Sequence, residues 1–143
     1  MDTAEDGPTI EKLHSLLLEQ ITIFFEHENS KKWLDKYATQ IKAQFHPAHK
    51  LIAVRSSSNV EDLKKLSGAG LFDSILNVQS AEEGTIVDAI KAVWRSLYSR
   101  RALQSRIKYK IKEEKAAMAV LIQQMIPADA SFIFHTTNPV IWV

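Results

Sequence analysis

The stretch LIAVRSSSNVEDLKKLSGAGLFDSILNV, residues 51–78, decides the fold. It opens with apolar residues, among which Ile52 and Val54 alternate with smaller neighbours, and then runs into a polar stretch that contains glycine. Its last eight residues, LFDSILNV, include strand-like residues but lack clean alternation. We therefore predict, in order, a strand, a loop and a second strand-like segment: 51–56, 56–70 and 71–78.

Two amphipathic helices are predicted before this stretch. In the first, apolar residues recur at three- and four-residue steps after the candidate N-cap Thr9: Ile10, Leu13, Leu17, Ile21 and Phe24. The second apolar stripe follows the candidate cap Ser30 and ends before Pro47, whose ring disfavours a helical predecessor: Trp33, Leu34, Tyr37 and Ile41. We therefore predict a helical segment over residues 1–50.

A third helix and a hairpin are predicted after it. Ser80 and Glu83 have the spacing of a capping box, and the apolar face that follows predicts the longest helix, prolonged towards residue 107. The apolar run at 118–126 and the alternating SFIFHT at 131–136, separated by PADA, predict an antiparallel hairpin. Helices first, then strands, a helix and a hairpin give an α+β class.

The composition is that of an ordinary globular chain. The 143 residues are 45% hydrophobic and 24% charged, with a net charge of +1, which does not favour nucleic acid or a membrane surface as partner. Cysteine is absent, so disulfides, thiolate metal sites and cysteine nucleophiles are excluded. The acidic N-terminus shows no targeting segment and no stretch is long enough for a membrane helix, so we expect a soluble protein of undetermined compartment.

Phosphate-binding features are concentrated in the deciding stretch. VRSSSNVED places the permanent charge of Arg55 at the end of a strand, and SGAGLFDS brings Gly68 and Gly70, which allow a backbone to turn sharply and aim N–H groups at an anion. The spacing alone leaves a second interpretation open, in which the arginine forms a surface ion pair beside an ordinary glycine turn. Glu61 and Asp62 fit a helix start better than a metal site.

The order of motifs resembles the nucleotide-binding domain of the phosphoenolpyruvate synthase and pyruvate phosphate dikinase family, and is most similar to plant-type glucan (phosphoglucan) water dikinases. VRSSSNVED, SGAGLFDSILNV, AIKAVWRSLYSRRALQSR, MAVLIQQMI and SFIFHTTNP follow one another over residues 51–139. The resemblance implies a partial ATP-grasp domain at 51–143, cut off at its C-terminus. It also implies an ATP-dependent dikinase, in which phosphate passes through a phosphohistidine on another domain to glucan and water. We expect the chain alone to be inactive.

The resemblance also implies roles for particular residues. Arg55 would contact the ATP phosphates, and a phosphate-covering loop centred on Gly70 would comprise Ser67, Gly68, Ala69, Gly70, Asp73 and Ser74. Arg101 and Arg106 would lie near the nucleotide or support its loop, although a solvated helix face explains them equally well. The adenine hinge would fall at Gln124, Met125 and Ile126.

Some expected parts are missing from the motif series. The implied Mg²⁺ would be held by acidic and amide residues beyond residue 143, so no metal site is expected within the chain. Gly68 stands where relatives usually carry a larger residue. No phospho-accepting motif surrounds any of the five histidines, so we assign no catalytic residue: His14, His27, His46, His49 and His135. By resemblance the compartment would be plastid or cytoplasm, and any glucan would be bound by other domains.

Two other interpretations stay open. The basic segment 100–112 contains no acid, so the chain could be a binding module that grips nucleic acid or another polyanion. The chain could also be a truncated remnant without activity, whose incomplete sheet exposes an edge.

Overall fold

A computed structural model describes residues 7–45, 50–61, 70–132, 134 and 136. The elements, in chain order, are α1 (Gly7–Glu26), α2 (Glu28–Gln44), β1 (Leu51–Ser58), β2 (Ser74–Gln79), α3 (Glu83–Ser96), α4 (Arg100–Lys108), a 3-10 turn (Glu113–Lys115) and β3 (Met118–Gln124). The predicted α+β class is confirmed. None of the described helices combines the length and the apolarity that crossing a bilayer requires.

The three strands form one antiparallel sheet in the order β2-β1-β3, with β1 in the centre. The register between β1 and β3 is unbroken from Ile52 opposite Gln124 to Ser58 opposite Met118. The register between β1 and β2 shifts, and Asn77 adopts a positive φ of 59° within β2. This irregularity explains why the sequence of β2 does not alternate cleanly.

One face of the sheet is buried against the helices. Ile52 and Val54 are fully buried and share a core with Ile86 of α3 and with Phe25 and Leu34 from the two N-terminal helices. Each such side chain contributes about 1.5–3 kcal/mol when buried. The N-terminal helices therefore stabilise the sheet directly.

The predicted caps of the first two helices are wrong. α1 begins at Gly7, so Thr9 lies inside it. α2 begins at Glu28, two residues before Ser30, because the Nδ1 atom of His27 accepts a hydrogen bond from the Asn29 N–H at 3.3 Å and caps the helix there. Ser30 is instead buried within the first turn.

The predicted capping box is also wrong, as is the single long helix. The N-cap of α3 is Glu82, which makes no side-chain capping bond, and the Thr85 hydroxyl donates to the Gln79 and Glu82 carbonyls. The helix ends at Ser96, and a new one begins after Ser99, whose hydroxyl accepts from the Ala102 N–H at 3.2 Å. At 20 residues, α1 is longer than the other described helices.

The predicted hairpin does not form among the described residues. β3 pairs with β1 over seven Cα partners, whereas Ser131, Phe132, Phe134 and Thr136 lie outside any strand. The rings of Phe132 and Phe134 contact each other, but the two side chains are 76% and 86% exposed. β3 therefore pairs through one edge with β1 and is partly buried on one face, while Ile133 and His135 of the predicted second strand lie outside the described residues.

Candidate functional site

Arg55 lies on the sheet face opposite α3. Its neighbours across the strands are Ser74 on β2 and Leu121 on β3. Opposed side chains of an antiparallel pair project to the same face, whereas the adjacent Val54 points into the core and is fully buried. We call this surface the open face; its exposed members are Arg55, Ser57, Ser74, Leu121 and Gln123. A strand therefore presents the guanidinium to solvent.

A neutral side chain orients Arg55. The Arg55 Nη1 donates to the Gln123 Oε1 at 3.1 Å. The ion pairs recorded between described residues do not include Arg55. The surface ion pair of the second interpretation is thus not seen in this part of the chain. An amide fixes the direction of a guanidinium without cancelling its charge, so the charge is available to an anion.

The exit of the predicted phosphate loop lies beside Arg55. Ser67, Gly68 and Ala69 fall outside the described residues, which resume at Gly70. Gly70 has a φ of +72°, in the left-handed region that favours glycine.

The last two predicted loop residues lie between this glycine and the open face. Asp73 and Ser74 are both exposed, and Ser74 opens β2 directly opposite Arg55. The guanidinium and the loop exit therefore lie on adjacent strands rather than on opposite sides of the molecule.

The loop exit is tied to the corner between α3 and α4. Arg101 donates from Nη2 to the Leu71 carbonyl at 3.3 Å, and the Asp73 N–H donates to the Ser96 Oγ at 3.1 Å. Between these two bonds the Phe72 side chain is buried. Arg101 thus contacts the loop exit itself, whereas Ser96 was not anticipated, because no local motif distinguishes it from other helix serines.

Arg106 has a different environment. It is fully buried, and its guanidinium donates to both carboxylate oxygens of Glu113 at 2.8 Å and to the Leu97 carbonyl at 2.7 Å. These bonds tie the end of α3 to the 3-10 turn after α4. A contact between Arg106 and phosphate would require breaking them.

The basic segment does not form one continuous cationic surface. Besides the burial of Arg106, Arg100 pairs with Glu11 at 2.9 Å and Lys112 with Glu114 at 3.7 Å. These contacts weaken the polyanion interpretation, which needs many free cations on one face.

The predicted adenine hinge lies at the end of β3. The Met125 N–H already donates to the Leu51 carbonyl at 3.0 Å. Because main-chain groups alternate in direction along an antiparallel strand, those of Gln124 point towards the outer edge of β3. Ile126 is 77% exposed. Of the three hinge residues, Gln124 lies within β3, and its backbone groups face outward from the ladder.

Neither a metal cluster nor the apolar groove between the helices belongs to this site among the described residues. Within the described ranges, no group of three or more His, Asp or Glu side chains is arranged to hold a metal ion. A groove of about 710 Å³ runs between α1, α2, α3 and the start of β3, with Phe24, Trp33, Trp94 and Tyr98 in its walls. Its walls are mainly apolar, which does not suit a triphosphate.

Comparison with known proteins identifies the family. Residues 21–141 match the family described as pyruvate phosphate dikinase, AMP/ATP-binding domain. A phosphoenolpyruvate synthase of Aeropyrum pernix is 43% identical over 89 residues, which is 62% of this chain and 11% of that protein. A probable phosphoenolpyruvate synthase of Staphylothermus marinus is 34% identical over 113 residues, 79% of this chain and 13% of that protein.

A third relative is named for a different compound. A rifampicin phosphotransferase of a Streptomyces species is 37% identical over 95 residues, 66% of this chain and 11% of that protein. The chain thus spans little more than a tenth of the length of these curated relatives. The match over residues 21–141 shows that the chain belongs to the pyruvate phosphate dikinase AMP/ATP-binding domain family.

Proposed function

We propose that the open face and the loop exit bind the phosphates of ATP, and that the chain is the nucleotide-binding part of a dikinase. One observation carries the proposal. The exposed guanidinium of Arg55 is held by the neutral Gln123 and lies opposite Ser74, where the glycine loop ends. Membership of an AMP/ATP-binding family supports the same ligand.

The chemistry required of such a site is positioning and charge stabilisation. Phosphoryl transfer leaves little covalent work to the protein, so fixed cations and backbone N–H groups aimed at the transferring oxygens carry most of the effect. Arg55 supplies the cation, and the turn at Gly70 supplies backbone donors close to it. In this proposal the described residues bind and orient ATP and form no covalent intermediate.

The adenine end of the nucleotide would lie along β3. Leu121 is opposite Arg55, and Gln124 follows three residues later, which corresponds to about 10 Å along a strand. Gln124 offers outward main-chain groups at that end of the strand. We propose that it reads the base edge, with Met125 and Ile126 packing beside the ring.

Mg²⁺ fits this site only as a companion of the nucleotide. The described residues provide no carboxylate cluster, and Asp73 is the acidic side chain of the loop exit. Mg²⁺ commonly keeps several waters and binds through substrate phosphates with one or two carboxylates. We propose that it arrives with ATP, where it would neutralise phosphate charge.

In this proposal the choice of phosphate acceptor depends on the whole protein. The resemblance to glucan water dikinases implies glucan and water as acceptors and a phosphohistidine as carrier. The three relatives are named for phosphoenolpyruvate and rifampicin instead. We propose that the described residues do not select the acceptor, so that added glucan leaves the affinity of the chain for Mg·ATP unchanged.

Calorimetric titration with Mg·ATP tests the nucleotide site. Arg55→Met removes the charge and keeps the apolar stem, and should weaken binding by roughly 10- to 100-fold, as expected for loss of a charged hydrogen bond. Arg100→Met is the matched control, because it removes one positive charge from an exposed arginine away from the open face. Equal affinities for the two variants would refute the site, and a steep salt dependence with many polyanions would favour the basic-segment interpretation.

A further inference from the structure

We propose that Ser96 is a positioning residue for the phosphate loop, joining the C-terminal end of α3 to the point where the loop enters β2. This inference rests on the proposed function, since it assigns a role in nucleotide binding to a residue that does not touch the nucleotide. It is carried by the contacts of the α3–α4 corner, defined here as residues 93–106.

The Ser96 hydroxyl uses both sides of its hydrogen-bonding capacity. It donates to the Val93 carbonyl at 2.6 Å and accepts from the Asp73 N–H at 3.1 Å, and the residue is only 4% exposed. The bond to Val93 fixes the hydroxyl within the last turn of α3. The bond from Asp73 then transfers that fixed position to the loop backbone.

The backbone on both sides of Phe72 is held by the same corner. Leu71 accepts from Arg101, Asp73 donates to Ser96, and the buried Phe72 packs in a cluster with Leu97. Three consecutive residues of the loop exit are therefore anchored by two hydrogen bonds and one buried ring. The next residue begins β2 opposite Arg55.

The corner is well suited to act as a fixed support. Ser99 caps α4 at the Ala102 N–H, and the buried Arg106 ties the Leu97 carbonyl to Glu113. These contacts hold the corner in addition to its packing against the loop exit. A loop end fixed in this way has less conformational freedom to lose when phosphate binds, which is the origin of affinity gained by preorganisation.

The first test compares Ser96→Ala with Ser105→Ala in the 143-residue chain. Ser105 is a half-buried serine of α4. Among the described residues its side chain forms no hydrogen bond with the loop exit, so it controls for the loss of a hydroxyl from this corner. Ser96→Ala should weaken Mg·ATP binding by roughly 3- to 10-fold, the effect of one hydrogen bond. It should also speed hydrogen exchange at the Asp73 amide, a readout that general destabilisation would not confine to that position.

A second pair keeps the inference testable if Ser96→Ala fails to fold. Arg101→Met removes the bond to Leu71, while Arg100→Met removes the same charge from the neighbouring residue. Arg101 is exposed, so the fold should survive, and Arg101→Met should weaken Mg·ATP binding a few-fold more than Arg100→Met does.

The outcomes separate the two proposals. If the unsubstituted chain binds Mg·ATP and Ser96→Ala behaves like Ser105→Ala, or, where Ser96→Ala does not fold, Arg101→Met behaves like Arg100→Met, this inference is overturned and the proposed function stands. If the unsubstituted chain does not bind Mg·ATP, both are overturned.

Discussion

Two arginines mark the difference between the open face and the α3–α4 corner. Arg55 is exposed and held by one neutral amide, whereas Arg106 is fully buried and bonded to a carboxylate and a carbonyl. In the corner the charge is neutralised by Glu113 and serves the fold. On the open face the partner of Arg55 among the described residues is a neutral amide, which is the arrangement that anion binding needs. The nature of the partner, rather than the residue type, distinguishes the two arginines.

Removing the Arg106 guanidinium from the α3–α4 corner should give the largest loss of stability. Arg106→Met leaves Glu113 and the Leu97 carbonyl without their partner, and should lower the free energy of unfolding by about 3 kcal/mol. Urea denaturation measures the change. Arg100→Met, which removes an exposed pair with Glu11, should cost no more than about 0.5 kcal/mol. Equal losses would mean that the corner is not the stable support inferred above.

Giving Arg55 an acidic partner, like that of Arg106, should weaken the binding of ATP to the open face. Gln123→Glu places a carboxylate where the amide now accepts from Arg55, so the charge offered to ATP is partly cancelled. Affinity for Mg·ATP should fall roughly ten-fold. Gln104→Glu, on the exposed side of α4, adds the same charge elsewhere and should change little. Titration calorimetry on both variants decides, and an undiminished affinity in Gln123→Glu would contradict the role given to Arg55.

A smaller effect is expected from the loop backbone. Gly70 has a φ of +72° with open space around it, so Gly70→Ala introduces backbone strain without a clash. If the turn keeps its shape, the strain should lower the free energy of unfolding by about 1 kcal/mol. If the free loop relaxes out of the left-handed conformation, the same strain should appear as about five-fold weaker nucleotide binding. Gly84→Ala, in the first turn of α3 with similarly open space, should instead be neutral or stabilising. Urea denaturation and Mg·ATP titration of the pair measure both effects; identical behaviour would show that the left-handed turn does not matter.

The smallest effect concerns an exposed ion pair that resembles neither arginine site. A hydrogen bond from Lys31, at 2.7 Å, and the charge of Lys31 hold the pKa of the Glu26 carboxyl below its usual range, with Lys91 and Arg95 adding to this. Because the folded-state pKa is lowered, the stabilisation is present above the usual pKa and is lost as pH falls through the lowered one. Carboxyl NMR titration should show the Glu26 pKa rising in Lys31→Met; an unchanged value would contradict the assignment.

Local signals in the sequence predicted the main elements that carry the candidate site. The strands at residues 51–58 and 118–124 coincide with apolar runs in the sequence. The turn at Gly70 is explained by the conformational freedom of glycine. The helix caps were less predictable. Ser80 and Glu83 have capping-box spacing, yet the helix begins at Glu83 with Glu82 as its N-cap, and the Thr85 hydroxyl donates to the Gln79 and Glu82 carbonyls at this helix start.

Long-range pairing was not predictable from the sequence. Gln123 lies 68 residues from Arg55, and their contact depends on the register of β3 against β1. The pairing of β3 with β1 was likewise not expected from the local pattern. Ser96 became visible only when the loop exit was seen to pack on the α3–α4 corner. Residues whose role arises from tertiary contacts carry no local motif by which they could be found.

The most direct test follows the arginine side chains themselves. With the ¹⁵Nε resonances of Arg55 and Arg106 assigned in the 143-residue chain, Mg·ATP is added and both signals are followed. The account predicts a saturable shift of the Arg55 resonance and a stationary Arg106 resonance. A stationary Arg55 signal, with binding seen elsewhere or not at all, would contradict it.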